Sequence, residues 1–306
     1  LKVFRHQYDN NLVYQQFCNF LKKDKTNVKS LTEIPFLPIQ FFKSHEVLSS
    51  KDAVQTTFTS SGTTGMQTSK HLVTDVSWYE MSYRLGFSEF YGNIEDYCVL
   101  ALLPSYLERE GSSLIHMVED LITLSNHQDS GFYLNNYDEL ISKLIELDNS
   151  GQNVLLIGVT YALLDLIEKQ KFQLKNTIIM ETGGMKGKRK EMIREELHSL
   201  LCNGFGVSKI HSEYGMTELL SQAYSLGDGV FECPQWMQVL IRDTEDALTY
   251  VAEGKTGGIN VIDLANINSC SFIATQDLGK KQPNHSFEVL GRFDNSDIRG
   301  CNLMVI

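Results

Sequence analysis

Several features of secreted, metal-binding and membrane proteins are scarce or missing in this sequence. Its six cysteines lie far apart and form no C-x-x-C pair, which argues against a structural zinc site and a disulfide framework. No apolar run reaches the roughly 18 residues that a membrane-spanning helix needs, and no signal-peptide pattern opens the sequence. We therefore expect a cytoplasmic protein without membrane insertion, in which the thiols stay reduced.

The chain is also short of positive charge. Lys and Arg number 27 against 38 Asp and Glu, so the formal net charge is −11. Because nucleic acids repel such an acidic protein, we expect no nucleic-acid partner. A phosphorylated small molecule remains compatible with this charge, since backbone N–H groups and a bound divalent cation outweigh it at close range.

Short apolar runs alternate with stretches of helical spacing. Buried strands are expected at residues 97–103, 153–158 and 177–180, and helices at 78–91, 113–124, 137–147, 161–169 and 188–201. This alternation predicts an α/β fold of mostly parallel sheets with flanking helices. Beyond residue 227, short β-rich stretches predict a smaller β-rich subdomain. We place the α/β core at 1–226 and the subdomain at 227–306, within one continuous structural domain.

The run from residue 59 to residue 71 is the strongest local signal. It contains two glycines and seven hydroxyl side chains, and the part that would hold a ligand comprises Thr59, Ser60, Ser61, Gly62, Thr63, Thr64 and Gly65. Glycines let the backbone approach an anion, and hydroxyls donate further hydrogen bonds, so this loop suits a polyphosphate. It is not a Walker A loop, because no Lys follows the second glycine. The alternative is a Ser/Thr-rich surface turn.

Four more polar segments follow predicted strands, where open α/β sheets bind their ligands. They are Gly183-Gly184, the run Tyr214–Glu218 after a short strand at 208–210, a turn that holds Asp277, and segment 291–300. The aromatic ring could stack on a base, Glu218 could hold Mg²⁺, and Asp277 could accept hydrogen bonds from a ribose diol. Taken singly, each segment is equally typical of an ordinary turn or of packing.

In order and residue type, these segments resemble the adenylate-forming (acyl-activating, AMP-forming) ligase superfamily. The resemblance runs through the loop Thr59–Lys70, Gly183-Gly184, the Y-G-x-T-E-like run Tyr214–Glu218, Gly257-Gly258-Ile259, the T-G-D-x-G-like run Thr275–Gly279 and the hinge-like run Gly291–Gly300. Within that superfamily the chain looks most like the LuxE-type acyl-protein synthetases. The segments 34–39, 102–114 and 299–303 carry this closer likeness.

The resemblance implies an ATP- and Mg²⁺-dependent ligase that converts a carboxylic acid, such as a fatty acid, into acyl-AMP. The loop residues Thr59 to Gly65 would hold the β,γ-phosphates, and Gly183-Gly184 would lie near the acid. Tyr214, with Gly215, would stack on adenine and Thr217 would contact the α-phosphate. Glu218 would coordinate Mg²⁺, and Asp277 and Arg292 would hold the ribose hydroxyls.

In the LuxE-type family a cysteine near the C-terminus accepts the acyl group, and Cys301 matches it. The expected product is a thioester, delivered to an acyl reductase partner. The superfamily's C-terminal lid, with its catalytic lysine, has no counterpart among these 306 residues. Lys70, Lys186 and Lys188 are the candidate substitutes.

Two other functions stay open at this stage. One is an AMP-forming ligase that transfers the acyl group to coenzyme A or a carrier protein. The other is a degenerate, non-catalytic subunit that only binds a nucleotide or an acyl group. The sequence leaves open the identity and chain length of the acid, the final acyl acceptor, the oligomeric state and the pathway.

Overall fold

The computed structural model describes residues 1–60, 68–104, 111–134, 136–185, 188–190 and 192–293. Its helices are α1 (Lys2–Asn10), α2 (Leu12–Phe20), α3 (Phe41–Ser44), α4 (Val76–Tyr91), α5 (Ser113–Ser125), α6 (Tyr137–Ser150), α7 (Thr160–Lys169) and α8 (Arg194–Phe205). Its strands are β1 (Leu37–Pro38), β2 (Thr56–Thr59), β3 (Lys70–Val73), β4 (Cys98–Leu102), β5 (Gly131–Phe132), β6 (Val154–Val159), β7 (Thr177–Thr182), β8 (His211–Tyr214), β9 (Ala223–Ser225), β10 (Val230–Phe231), β11 (Met237–Arg242), β12 (Thr256–Asp263), β13 (Phe272–Lys281) and β14 (Phe287–Arg292). None of the helices in these ranges is both long and apolar enough to cross a membrane.

A largely parallel sheet forms the first layer of the molecule, in the order β5-β4-β6-β7-β8-β9. Only β9 runs antiparallel to its neighbour β8. Every residue of β4 and β6 is buried, because helices such as α5 and α7 pack against this sheet. Burial on both faces explains why these strands appear in the sequence as unbroken apolar runs. The predicted α/β fold with mostly parallel strands is confirmed.

A second, antiparallel sheet follows in the order β10-β14-β13-β12-β11, with β1 pairing in parallel with β13. Its core also takes in the N-terminal helices, since Phe4 and Tyr14 pack with Phe272 and Phe287 in one buried cluster. The ring of Tyr14 stacks on that of Phe272 at 6.1 Å. The predicted β-rich character of this part is confirmed, and the boundary at residue 226 stays a prediction.

Three predicted details were wrong. Helix α8 begins at Arg194 instead of near Lys188, because Arg189 forms ion pairs with Asp165 and Glu168 of α7 and holds its segment there. The strand expected at 208–210 lies instead at His211–Tyr214, where it pairs with β7, so Tyr214 ends a strand. Strand β13 continues through Asp277, which pairs with Arg292 of β14 and does not lie in a turn.

Asp148, near the end of α6, ties this helix to the start of β7. Its buried carboxylate accepts hydrogen bonds from the backbone N–H groups of Lys175 and Asn176, the shortest at 2.8 Å, and from the Thr177 hydroxyl at 2.8 Å. Replacing Asp148 by alanine would leave buried donors unpaired, so we expect the free energy of unfolding to fall by about 2–3 kcal/mol in urea denaturation. Glu146→Ala on the same helix is the control, since that side chain is 70% exposed. Equal losses in the two variants would contradict the role of Asp148.

Candidate active site

One large cavity of about 840 Å³ opens where the two sheets meet. It lies at the carboxyl ends of β7 and β8, and β13 and β14 close it from the opposite side. Its volume falls within the range of about 300–1,000 Å³ that is typical of small-molecule sites. The position also agrees with the rule that open α/β sheets bind ligands beyond the carboxyl ends of their strands.

The cavity brings together most of the predicted site residues that the structure describes. Those in its wall are Thr59, Ser60, Gly183, Gly184, Gly215, Thr217, Glu218, Asp277 and Arg292. Ser61, Gly62, Thr63, Thr64, Gly65 and Cys301 lie outside the described residues, as does Lys186. Lys70 and Lys188 are exposed, and neither is among the described residues of the cavity wall. The roles expected for all these residues stay predictions.

Strands β2 and β3 form a hairpin, and Thr59, Ser60 and Ser69, at the end where the chain turns, line the cavity. Ser60 donates its backbone N–H to the Ser69 carbonyl at 3.1 Å, and Ser69 donates its own to the Ser60 hydroxyl at 2.9 Å. Gly111 lies directly against β2, since its carbonyl accepts from Thr59 N–H at 2.8 Å. Its φ of 78° and the nearby Thr57 carbonyl leave no room for a side chain. The base of the predicted phosphate loop is thereby held in a defined place.

Three buried polar side chains hold the backbone around Thr217 and Glu218. His71 donates from Nδ1 to the Thr217 carbonyl at 2.8 Å, and Asn266 donates from Nδ2 to the Glu218 carbonyl at 2.8 Å. Asp263 accepts from the N–H of Leu220 at 2.7 Å. Burial lowers the pKa of His71 to about 4. These three side chains are buried, and their hydrogen bonds fix the backbone of this turn. The backbone positions of Thr217 and Glu218 at the cavity wall are fixed with it.

Glu218 is a buried carboxylate in the cavity wall. Burial raises its pKa, and a hydrogen bond from Ser69 and the positive charges of Arg292 and Lys43 oppose the rise. A divalent cation at this carboxylate would offset the cost of burying its charge, so the residue fits Mg²⁺. No group of three or more His, Cys, Asp or Glu in the described ranges could hold a metal ion. A magnesium ion here would therefore need oxygen ligands from a bound phosphate as well.

Tyr214 and Asp277 form a pair at the edge of the cavity. The Tyr214 hydroxyl donates to Asp277 Oδ2 at 2.9 Å, and Arg292 Nε lies 3.5 Å from Asp277 Oδ1. Burial raises the pKa of Asp277, while Tyr214 and Arg292 oppose the rise. The Tyr214 ring packs edge-on against Phe231 and Phe287, and the residue is absent from the described cavity wall. Stacking on adenine stays a prediction, whereas the orientation of Asp277 by Tyr214 is visible.

The turn at Gly183-Gly184 depends on Glu181 at the end of β7. Glu181 forms a buried ion pair with Arg194 at 2.6 Å. Thr160 donates to the Glu181 carboxylate or to the Gly183 carbonyl, at 3.1 and 2.8 Å. Gly183 has a φ of 64°, which favours glycine. The contacts of Glu181 with Arg194 and of Thr160 with Gly183 therefore hold the backbone after β7 at the cavity wall.

Arg242 explains the glycine pair at Gly257-Gly258. A side chain at Gly257 would collide with the Arg242 carbonyl, and one at Gly258 with its guanidinium. That guanidinium donates to the carbonyls of Ile259 and Thr275 at 2.7 and 2.6 Å. The glycines thus make room for an arginine that fixes the strand leading to Asp277.

Glu213, at the end of β8, also lines the cavity. Burial and the charge of Glu181 raise its pKa to about 7, although a hydrogen bond from the Thr182 hydroxyl, at 2.5 Å, opposes the rise. Its ordinary pKa is 4.5. As the pH rises from 4.5 towards 7, the unfolded chain ionises this carboxyl while the folded chain keeps its proton. The contribution of Glu213 to stability is therefore present at low pH and is lost as the pH rises.

In a Glu213→Gln variant, the amide at this position does not ionise between pH 5 and pH 8. We subtract the free energy of unfolding of the parent chain from that of the variant. We expect this difference to rise by about 2–3 kcal/mol from pH 5 to pH 8. Urea denaturation at the two pH values measures this, with Glu232→Gln as the control because Glu232 is exposed. A difference that stays constant with pH would show that Glu213 titrates normally.

Sequence reasoning assigned no role to several residues of the site. His71, Asp263 and Asn266 hold the Thr217–Glu218 turn, and Glu213 and Gln222 belong to the cavity wall. Glu213 precedes Tyr214 directly, and this neighbourhood was the only sequence signal that could have singled it out. No local pattern distinguishes the other four from ordinary polar residues.

Comparison with solved structures identifies the fold. An open conformation of 2-hydroxyisobutyryl-CoA ligase, in complex with 2-HIB-AMP and CoA, matches with a TM-score of 0.71 at 12% identity, over 96% of this chain and 73% of that one. ATP-bound MatB from Rhodopseudomonas palustris matches with a TM-score of 0.59 at 16% identity, over 79% of this chain. The match covers 49% of MatB, so the chain spans about half the length of that protein. The fold is that of the adenylate-forming ligases.

Sequence comparison narrows the class to one family. A long-chain-fatty-acid–luciferin-component ligase from Vibrio harveyi is 23% identical over 337 residues, which cover 98% of this chain and 84% of that protein. The whole of residues 1–306 matches the family described as acyl-protein synthetase, LuxE. The chain belongs to this LuxE family, and the predicted family is confirmed.

Proposed function

We propose that this chain activates a carboxylic acid with ATP, forming acyl-AMP and pyrophosphate, and then carries the acyl group on Cys301 as a thioester. One observation carries the first half of the proposal. Residues from both sheets and from the β2–β3 hairpin, among them Thr59, Glu218 and Asp277, meet around a single cavity of nucleotide size. Two solved structures with the same fold support it: MatB binds ATP, and 2-hydroxyisobutyryl-CoA ligase is in complex with 2-HIB-AMP and CoA.

Each part of the cavity suits one part of ATP. Thr59 and Ser60 place hydroxyl groups in the cavity wall, where they would donate to the terminal phosphates. Thr217, in the same wall, would donate its hydroxyl to the α-phosphate. Asp277, held by Tyr214, can accept hydrogen bonds from the ribose hydroxyls, and Arg292 flanks it.

Adenylation then needs little covalent chemistry from the protein. A carboxylate oxygen of the acid bonds to the α-phosphorus, the bond from that phosphorus to the bridging oxygen breaks, and pyrophosphate leaves. Glu218 would hold Mg²⁺, which when bound neutralises charge on the phosphates. The residues of the chain contribute by positioning the two reactants and by donating to the phosphate oxygens.

The second half of the proposal concerns the acceptor thiol. The Cys301 thiolate would attack the carbonyl carbon of the mixed anhydride, and the bond to the phosphate oxygen would break and release AMP. Burial raises the pKa of each of the five other cysteines, which are Cys18, Cys98, Cys202, Cys233 and Cys270. None of these five is in the described wall of the cavity. Their chemistry and position both make them poor acceptors, which agrees with the choice of Cys301 that the family resemblance implies. The thioester would then pass to an acyl reductase.

Acid-dependent exchange of labelled pyrophosphate into ATP tests the proposal. We expect exchange that requires both the acid and Mg²⁺, because formation of acyl-AMP is reversible. A protein that only binds nucleotide or acyl groups would give no exchange with any acid. Addition of coenzyme A separates the remaining alternative. If acyl-CoA forms as fast after loss of Cys301 as before, the acceptor is coenzyme A and not the protein.

A further inference from the structure

A cluster of polar side chains in the cavity has no role in the nucleotide contacts proposed above. It consists of Thr182 at the end of β7, Glu213 at the end of β8, Gln222 before β9, and Tyr79 of α4, all in the cavity wall. We call it the polar corner. Tyr79 donates to the Ser113 carbonyl at 3.0 Å, which places the corner beside the N-terminus of α5. Thr182 directly precedes Gly183-Gly184, which the family resemblance places near the acid.

Members of the polar corner lie in contact with one another. Thr182 donates to Glu213 Oε2 at 2.5 Å. Glu213 Oε1 and the Gln222 side chain both lie against Gly215, since a side chain built at Gly215 would meet both. A hydrogen bond from Gln222 to the Tyr79 hydroxyl opposes the burial-driven rise in the pKa of that hydroxyl. Gln222 is therefore linked to Tyr79 within the corner.

The amide oxygen of Gln222 is not engaged. Gln222 is only 5% exposed, and its Oε1 is buried without a hydrogen-bond partner among the described residues. An amide oxygen can only accept, and leaving it unpaired in a protein interior costs free energy. A hydroxyl or amino group on a molecule that occupies the cavity would pair with it. An unsubstituted alkyl chain would leave this oxygen unpaired.

We propose that Gln222 and Glu213 form a specificity subsite that accepts a hydroxyl or amino substituent on a short acid substrate. This rests on the proposed function, because it names the class of acid that the same cavity activates. Apolar wall residues nearby, Leu114 and Met117 of α5, would cover the carbon chain of such an acid. The Gln222 oxygen accepts from the substituent, and the Glu213 carboxyl lies beside it.

The two kinds of substituent differ in their effect on Glu213. Its pKa of about 7 leaves a large fraction of this carboxyl protonated near neutral pH. A hydroxyl makes a neutral hydrogen bond to the corner, whereas an ammonium group favours the ionised carboxylate and would lower that pKa. Glu181 is the other carboxylate that acts on Glu213, and Thr182 is its hydroxyl donor.

A set of matched acids tests the subsite by pyrophosphate exchange in the full chain. It comprises butanoate, its 2-, 3- and 4-hydroxy and amino derivatives, and decanoate. We expect at least one substituted acid to exceed butanoate and decanoate in kcat/KM by tenfold or more, because a site that pairs a polar group discriminates strongly against its absence. Hydroxy and amino derivatives are compared directly, so the preferred donor is identified.

The Gln222→Leu variant removes the acceptor and keeps a similar volume. We expect the ratio of kcat/KM for the preferred substituted acid to that for butanoate to fall by about tenfold or more. Gln238→Leu is the matched control, since Gln238 is exposed on β11. Glu213→Gln is a second variant, should Gln222→Leu fold poorly, and we expect it to weaken the preference for an amino substituent most.

The possible failures are distinguishable. If butanoate or decanoate is used as well as every substituted acid, or if Gln222→Leu leaves the ratio unchanged, the subsite is disproved while the ligase function stands. If no acid supports exchange, the proposed function itself fails.

Discussion

A Glu218→Gln variant is expected to lose acid-dependent ATP–pyrophosphate exchange by about 10²–10³-fold. The amide keeps the shape of the carboxyl but carries no charge for Mg²⁺. Since the polar partners of this turn, His71 and Asn266, bind the carbonyls of Thr217 and Glu218, they remain in place in the variant. The loss should therefore appear in catalysis, and exchange rates at saturating ATP and acid measure it.

Stability separates this loss from misfolding. Burial raises the pKa of Glu218, so its charge costs stability at neutral pH and an uncharged amide should leave the melting temperature unchanged or raise it. Glu253→Gln is the control, because Glu253 is exposed. Exchange by Glu218→Gln at the rate of the parent protein would remove Glu218 from the catalytic machinery.

Replacement of Cys301 by serine is expected to separate the two half-reactions. Exchange of pyrophosphate should stay within about twofold of the parent rate, while the acyl group retained on the protein should fall by about 100-fold. A serine hydroxyl is a far weaker nucleophile than a thiolate. The acyl-adenylate would therefore still form, but its acyl group would not be transferred to residue 301. Denaturing gel analysis with a labelled acid, followed by mass spectrometry, measures the retained acyl group.

Cys202→Ser serves as the control for this experiment. Cys202 is partly buried on α8, and burial raises its pKa, so it should not accept the acyl group. Retention of label by Cys301→Ser at the parent level would place the acceptor on another residue. Simultaneous loss of exchange and label would tie Cys301 to adenylation itself.

Much of the fold was predictable because the pattern of apolar residues within a short segment shows which of its residues are buried. The runs that became β4, β6 and β7 are continuous apolar stretches, since parallel strands are covered on both faces. Helix α4 was expected from its apolar spacing, and Asp75 caps its N-terminus by accepting from Ser77 N–H at 3.1 Å. Strand ends were less predictable, because pairing with a distant partner decides them. Asp277 lies within a strand because β14 pairs with this part of β13, where Arg292 is opposite Asp277.

The candidate site was predictable only as a set of residue types. Hydroxyls, glycines and carboxylates at recognisable spacings identified Thr59, Glu218 and Asp277, which the structure places in one cavity. The polar corner was not predictable. Gln222 becomes informative only when its oxygen is seen to be buried without a partner, and no sequence pattern contains that information.

The sequence by itself determined which segments would be buried strands and helices, and which short motifs could carry ATP chemistry. It did so because helical and extended periodicities, glycine-rich turns and apolar runs are properties of neighbouring residues. Only the tertiary structure decided which polar groups meet. His71 bonds to Thr217 although 146 positions separate them, and such a contact depends on how the hairpin packs against the sheets.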